Sequence, residues 1–157
     1  MTIDKPLKIT TEQVATTGFR PHGIIELVMD GDLLHYGCTG PFNKELLECM
    51  AVAQTTFLKA MKHPGPWASI ATFLGSVMSS PEGIQRYAEL MQTPHPPELT
   101  PVATAFFIGP EVEGGSIMTP HFARIYADIG RPFKAFKTMA EAQSWTLSMI
   151  EASRAPC

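Results

Sequence analysis

No apolar run in this chain approaches the roughly 18 residues of a membrane-spanning helix, so the expectation is a protein without a membrane span. Met1-Thr2-Ile3-Asp4-Lys5-Pro6 holds no apolar signal-peptide region. Cysteine is sparse. Cys38, Cys49 and Cys157 are an odd number without metal-site spacing, which points to free thiols in a reducing, cytoplasmic setting rather than to a disulfide framework. The 12 Lys and Arg residues are scattered and the formal net charge is -3, so no basic stripe offers itself to a nucleic-acid backbone. No two of His22, His35, His63, His95 and His121 have the close spacing of a metal site. Gly109-Pro110-Glu111-Val112-Glu113-Gly114-Gly115-Ser116 puts glycines before a helix. It lacks the Lys-Ser/Thr of a phosphate loop, and its two carboxylates repel phosphate. No cofactor and no metal are expected. Internal repeats and low-complexity segments are absent too.

What is present is an ordinary apolar load. The chain has 157 residues, 45% hydrophobic and 17% charged, enough for one domain with a self-sufficient core. Its 14 prolines punctuate loops. The expected organisation is an N-terminal arm over 1–20, a single domain over 21–153 and a tail over 154–157. Within the arm, Lys8-Ile9-Thr10 is a candidate edge strand. Ile24 to Met29 and Leu33 to Thr39 are apolar runs around Asp30-Gly31, which favours a two-residue hairpin turn.

Asn43 is a candidate N-cap for a helix from Lys44 to about Met61. Leu46, Leu47, Met50, Gln54, Phe57, Leu58 and Met61 follow helical spacing, and all but Gln54 are apolar. Lys62-His63-Pro64-Gly65-Pro66 is a stop. Trp67 to Leu74 is nearly continuous in apolar and small residues, the pattern of a strand covered on both faces. Ser80 and Pro81 suit the N-cap and first position of a helix to about Gln92, with Ile84, Tyr87, Ala88 and Met91 on its inner face. Thr93 to Glu98 reads as a stiff connector, Val102 to Ile108 as a buried strand, and 109–115 as a flexible loop. Thr119-Pro120 reads as a helix start, with Phe122, Ile125, Tyr126 and Ile129 inside. Pro132 to Phe136 is a short strand. Thr138-Met139-Ala140-Glu141 is a capping box for a last helix with Ala142, Trp145, Met149 and Ile150 on one face. The fold class is therefore α/β: a mixed four- to five-stranded sheet with an N-terminal hairpin and strand-helix repeats in parallel, right-handed crossovers.

Three parts of the chain carry a resemblance: Gly23-Ile24-Ile25-Glu26-Leu27 with its hairpin, the 67–83 segment, and Pro132-Phe133-Lys134-Ala135-Phe136-Lys137-Thr138-Met139-Ala140-Glu141-Ala142 followed by Trp145. Together they resemble the anti-sigma-factor antagonist (STAS) fold. The likeness is to an uncharacterised bacterial branch related to the sporulation antagonist and to CRAL-TRIO lipid-binding domains. It implies a regulatory or binding domain. It also implies a regulatory serine in a turn after a central strand, where this chain reads Met78-Ser79-Ser80-Pro81. Methionine and proline stand there in place of the acidic residue and the glycine of such turns.

The carboxyl ends of strands collect ligands in open α/β sheets, which directs attention to Ser76, Met78, Ser79 and Ser80, with His121 and Phe122 beside them. Ser80 has a plain structural role as helix cap, and Ser79 is the freer hydroxyl. Met78, Met91, Met118 and Phe122 suit either core filling or an apolar ligand pocket. Cys38 and His35 lie three apart on one strand and point to opposite faces, so Cys38 reads as a core residue. Three functions follow. One is a regulatory or binding domain acting through a protein partner or an apolar small ligand. Another is a lipid or apolar-ligand carrier, for which a solid core would be decisive against. The third is a small enzyme with Cys38 or a serine as nucleophile. A homodimer is expected on general grounds.

Overall fold

A computed structural model describes residues 7–15 and 18–154. Six strands form one mixed sheet in the order of the chain: β1 (Lys8–Thr10), β2 (Ile24–Asp30), β3 (Leu33–Thr39), β4 (Ala68–Leu74), β5 (Thr104–Phe107) and β6 (Phe133–Phe136). β1, β2 and β3 pair antiparallel, and β3 through β6 pair parallel. The strand count exceeds the expected four to five. β1 supplies the excess from inside the segment read as an arm, and the Thr11 hydroxyl after it accepts the Ile25 N–H at 3.0 Å. The β2–β3 turn is Gly31-Asp32 rather than Asp30-Gly31, because Asp30 still pairs with Leu33. Gly31, at φ +59°, takes the position that a side chain disfavours.

The helices are α1 (Lys44–Met61), α2 (Pro81–Gln92), α3 (Gly115–Asp128) and α4 (Met139–Arg154). Each of the first three bridges two parallel strands, always one step further along the sheet. Right-handed crossovers that all advance in one direction put their helices on one face. α1, α2 and α3 pack together there, and α4 covers β4, β5 and β6 on the other face. Alternation along each strand serves both layers. Leu34, Tyr36 and Cys38 of β3 and Ala71 and Phe73 of β4 face α1–α3, whereas Leu33, Ala68 and Ile70 face α4. Covering on both faces is thus what the near-continuous apolar run of β4 reflects.

Local signals set most boundaries. The Asn43 side chain accepts the Leu46 N–H at 3.0 Å and caps α1. Ser80 caps α2 by accepting the Gly83 N–H at 3.1 Å, with Pro81 at the first position. α3 departs from expectation, since it begins at Gly115 and carries Pro120 in its interior. Gly114, at φ +86°, starts it, and the Ile117 and Met118 N–H groups both reach the Gly114 carbonyl. Burial of Met118 fixes that first turn. At the start of α4 the Thr138 hydroxyl accepts the Glu141 N–H at 3.3 Å. α4 runs through Arg154, so the expected tail begins no earlier than residue 155, outside the described residues. No described helix is long and apolar enough to cross a membrane.

Candidate functional site

α2 is the loosest layer of the fold. Of its residues only Gly83 is fully buried. Ile84, Tyr87, Ala88 and Met91 point inward as their spacing requires, yet each keeps accessible surface. Ile84, Tyr87 and Met91 line a cavity of about 240 Å³ between α2, α1 and the sheet. Tyr36, Cys38, Ala71, Phe73 and Phe106 form its floor. Met50, Gln54 and Leu58 of α1 form one wall, and Phe122 and Tyr126 of α3 the other.

Aromatic rings make these walls stiff. Phe106 lies edge-on to Phe122 at 5.1 Å, and Phe122 edge-on to Tyr87 at 5.8 Å. Tyr126 stacks on Phe133 at 4.7 Å. Such contacts add to area burial and hold ring positions.

The polar groups of the cavity come in pairs. The Tyr36 hydroxyl donates to Gln54 Oε1 at 3.1 Å. Tyr87 and Tyr126 share a hydroxyl–hydroxyl bond of 2.5 Å, and Ser69 and Thr104 share one of 2.9 Å. Thr104 also bonds the Tyr126 hydroxyl, so the two pairs join into one network of four hydroxyls, whose four protons and three mutual bonds leave one proton unused within it. Burial pushes all three phenols above their ordinary titration range, which leaves them neutral donors. Burial likewise pushes the Cys38 thiol up to about 12. A thiol held protonated is a packing group, not a nucleophile. Cys49 is raised for the same reason, with Glu48 adding to it.

The cavity opens toward the amino ends of the parallel strands. Its exposed lining residues are Thr55, Thr93 and His95, on the second half of α1 and on the connector into β5. Trp67 Nε1 donates to the Glu98 carbonyl at 3.0 Å and ties that connector down beside the opening. Arg131 also lines the cavity. Gly130, at φ +69°, ends α3, and the Arg131 N–H returns to the Tyr126 carbonyl at 3.1 Å, which fixes the residue just before β6.

The residues singled out in the sequence divide. Ser79 and Phe122 line the cavity. Ser76, Met78, Ser80 and His121 do not. Ser76 is buried, and its hydroxyl donates to Glu113 Oε1 and accepts the Met78 N–H, both at 3.1 Å. Met78 packs against Gly114, where a side chain would strike its sulfur. Ser80 is committed as the α2 cap. Ser79 has the weakest tie of the three serines, a 3.4 Å donation to the Ser80 carbonyl. His121 is exposed on α3. Sequence reasoning missed Tyr36, Tyr87, Tyr126 and Arg131 as a group. One signal pointed there: Gln54, the single polar residue on the inner stripe of α1.

No family model, curated protein or solved structure matches the chain.

Proposed function

We propose that the chain is a STAS-like, non-enzymatic binding domain whose ligand is a small, largely apolar molecule seated in the cavity beneath α2. The cavity itself carries this reading. A buried, aromatic-walled space with a few convergent polar groups is the usual form of a small-molecule site. Its size selects among the alternatives. An apolar protein cavity of about 150 Å³ holds a benzene ring, and by that measure 240 Å³ takes about ten non-hydrogen atoms. A two-chain lipid has several times as many, so the lipid-carrier reading is disfavoured. The protonated Cys38 thiol counts against a cysteine nucleophile.

Butylbenzene, whose carbon count matches that estimate, is a suitable neutral probe. Its binding is followed through backbone amide shifts in a magnetic-resonance titration. Shifts gathered on α2 and on the cavity-facing residues of β3, β4 and β5 are expected. Ala71→Leu extends a floor residue into the void. In a packed core such an enlargement costs about 1–3 kcal/mol. Here the melting temperature is expected to hold or rise while probe binding is lost. An unperturbed spectrum, or shifts confined to the outer surface, would sink the proposal.

A further inference from the structure

Charge around the cavity is one-sided. Among the described residues no Asp or Glu lines it, and Arg131 forms no ion pair. An arginine is charged at every physiological pH and is more at ease beside a planar anion than alone against an apolar wall. Arg131 lines the same cavity as Tyr36 and Tyr126. The arrangement therefore puts one fixed cation and a network of four hydroxyls with one proton to spare around a single space.

We infer that the ligand is a small monocarboxylate: an apolar body of medium-chain or single-ring size, with its carboxylate held by Arg131 and the spare O–H of the Tyr87–Tyr126–Thr104–Ser69 network and its body against Phe73, Phe106 and Met50. This rests on the small-ligand reading and deepens it. A carboxylate accepts through both oxygens, so it suits a forked guanidinium and a hydroxyl donor together. A cationic ligand would face Arg131 with no compensating carboxylate. A neutral one leaves the guanidinium unpaired.

Octanoate and octanamide share size and chain and differ in charge, and both match the cavity in atom count. Isothermal titration of the full chain at neutral pH should give octanoate an affinity about tenfold or more above octanamide, the range expected of one charge-assisted contact. Arg131→Gln should abolish the preference and bring octanoate to about the octanamide level. Arg131→Lys, which keeps the charge, should retain most of the difference, and it also stands in if Arg131→Gln fails to fold. Equal affinities in the native chain, or tighter binding of octanamide, would overturn the carboxylate inference and leave the apolar-cavity reading standing. Binding of neither compound would overturn both. A difference that survives Arg131→Gln in folded protein would also overturn it, because the selectivity would then arise elsewhere.

Discussion

At the scale of single residues, the Tyr36 hydroxyl and Gln54 satisfy one another across the cavity at 3.1 Å. Removing one partner strands the other, whereas replacing both with apolar groups does not. Gln54→Leu alone is thus expected to cost about 1–2 kcal/mol in denaturant unfolding, and Tyr36→Phe with Gln54→Leu to recover much of it. His35 offers a second test. Burial lowers its pKa, with Asp30 opposing. The folded state therefore favours the neutral ring. Its contribution is fully present above the ordinary histidine value of about 6.5 and is lost as pH falls through that value toward the lowered one. The urea midpoint should drop from pH 7 to pH 5, and His35→Gln should shrink that drop. A variant with an unchanged slope would assign the pH dependence to other groups. Gln54 was legible in the sequence as a polar break in an apolar stripe. The three tyrosines were not, because they come from β3, α2 and α3. Only the register of the sheet and the packing of two helices bring them together.

At the scale of elements, both ends of α1 and α2 were legible, with Met61 and Gln92 closing them where the spacing and the breakers that follow put them. Asn43 and Ser80 mark α1 and α2 through bonds to N–H groups three residues on, and a short side-chain acceptor before an amphipathic run is readable in any sequence. Ser80→Ala should cost about 1 kcal/mol of stability, and Ser80→Asp, which keeps an acceptor beside a helix N-terminus, should cost much less. Thermal or urea unfolding separates the two, and equal losses would mean that the hydroxyl does more than cap. α3 shows the opposite case. Thr119-Pro120 carries the usual signature of a helix start, yet the chain is already helical from Gly115. The turn before the proline is held by Gly114, by the buried Met118 and by the Thr119 hydroxyl donating to the Gly115 carbonyl at 2.6 Å. Met118 acts through a tertiary contact, which local spacing does not encode. The short β1 is legible as three extended residues, but its place at the sheet edge depends on pairing with β2.

Over the whole molecule, the cavity runs from the carboxyl-end junction, where Ser79 and Gly83 line it, to the amino ends of the parallel strands, where it opens. The carboxyl-end rule applies where crossovers diverge and open a crevice between neighbouring strands. Here the described parallel strands follow one another without reversal, so α1–α3 share a face and no such crevice arises. Space is left instead under α2, which buries little of itself. Local stability should follow that layout. In native-state hydrogen exchange, α2 amides are expected to exchange faster than those of α1 and β4, and a bound ligand should slow α2 most. Exchange of α2 at the rate of the sheet core would contradict this. One consequence concerns detection. All three tyrosines of the chain, and Trp67 of its two tryptophans, border the same cavity. The protein thus carries its ultraviolet chromophores at the place where an occupant would change their surroundings. Filling or emptying the cavity should appear in near-ultraviolet difference absorption and intrinsic emission of the unlabelled chain, with Trp145 on the far side of the sheet as an internal reference.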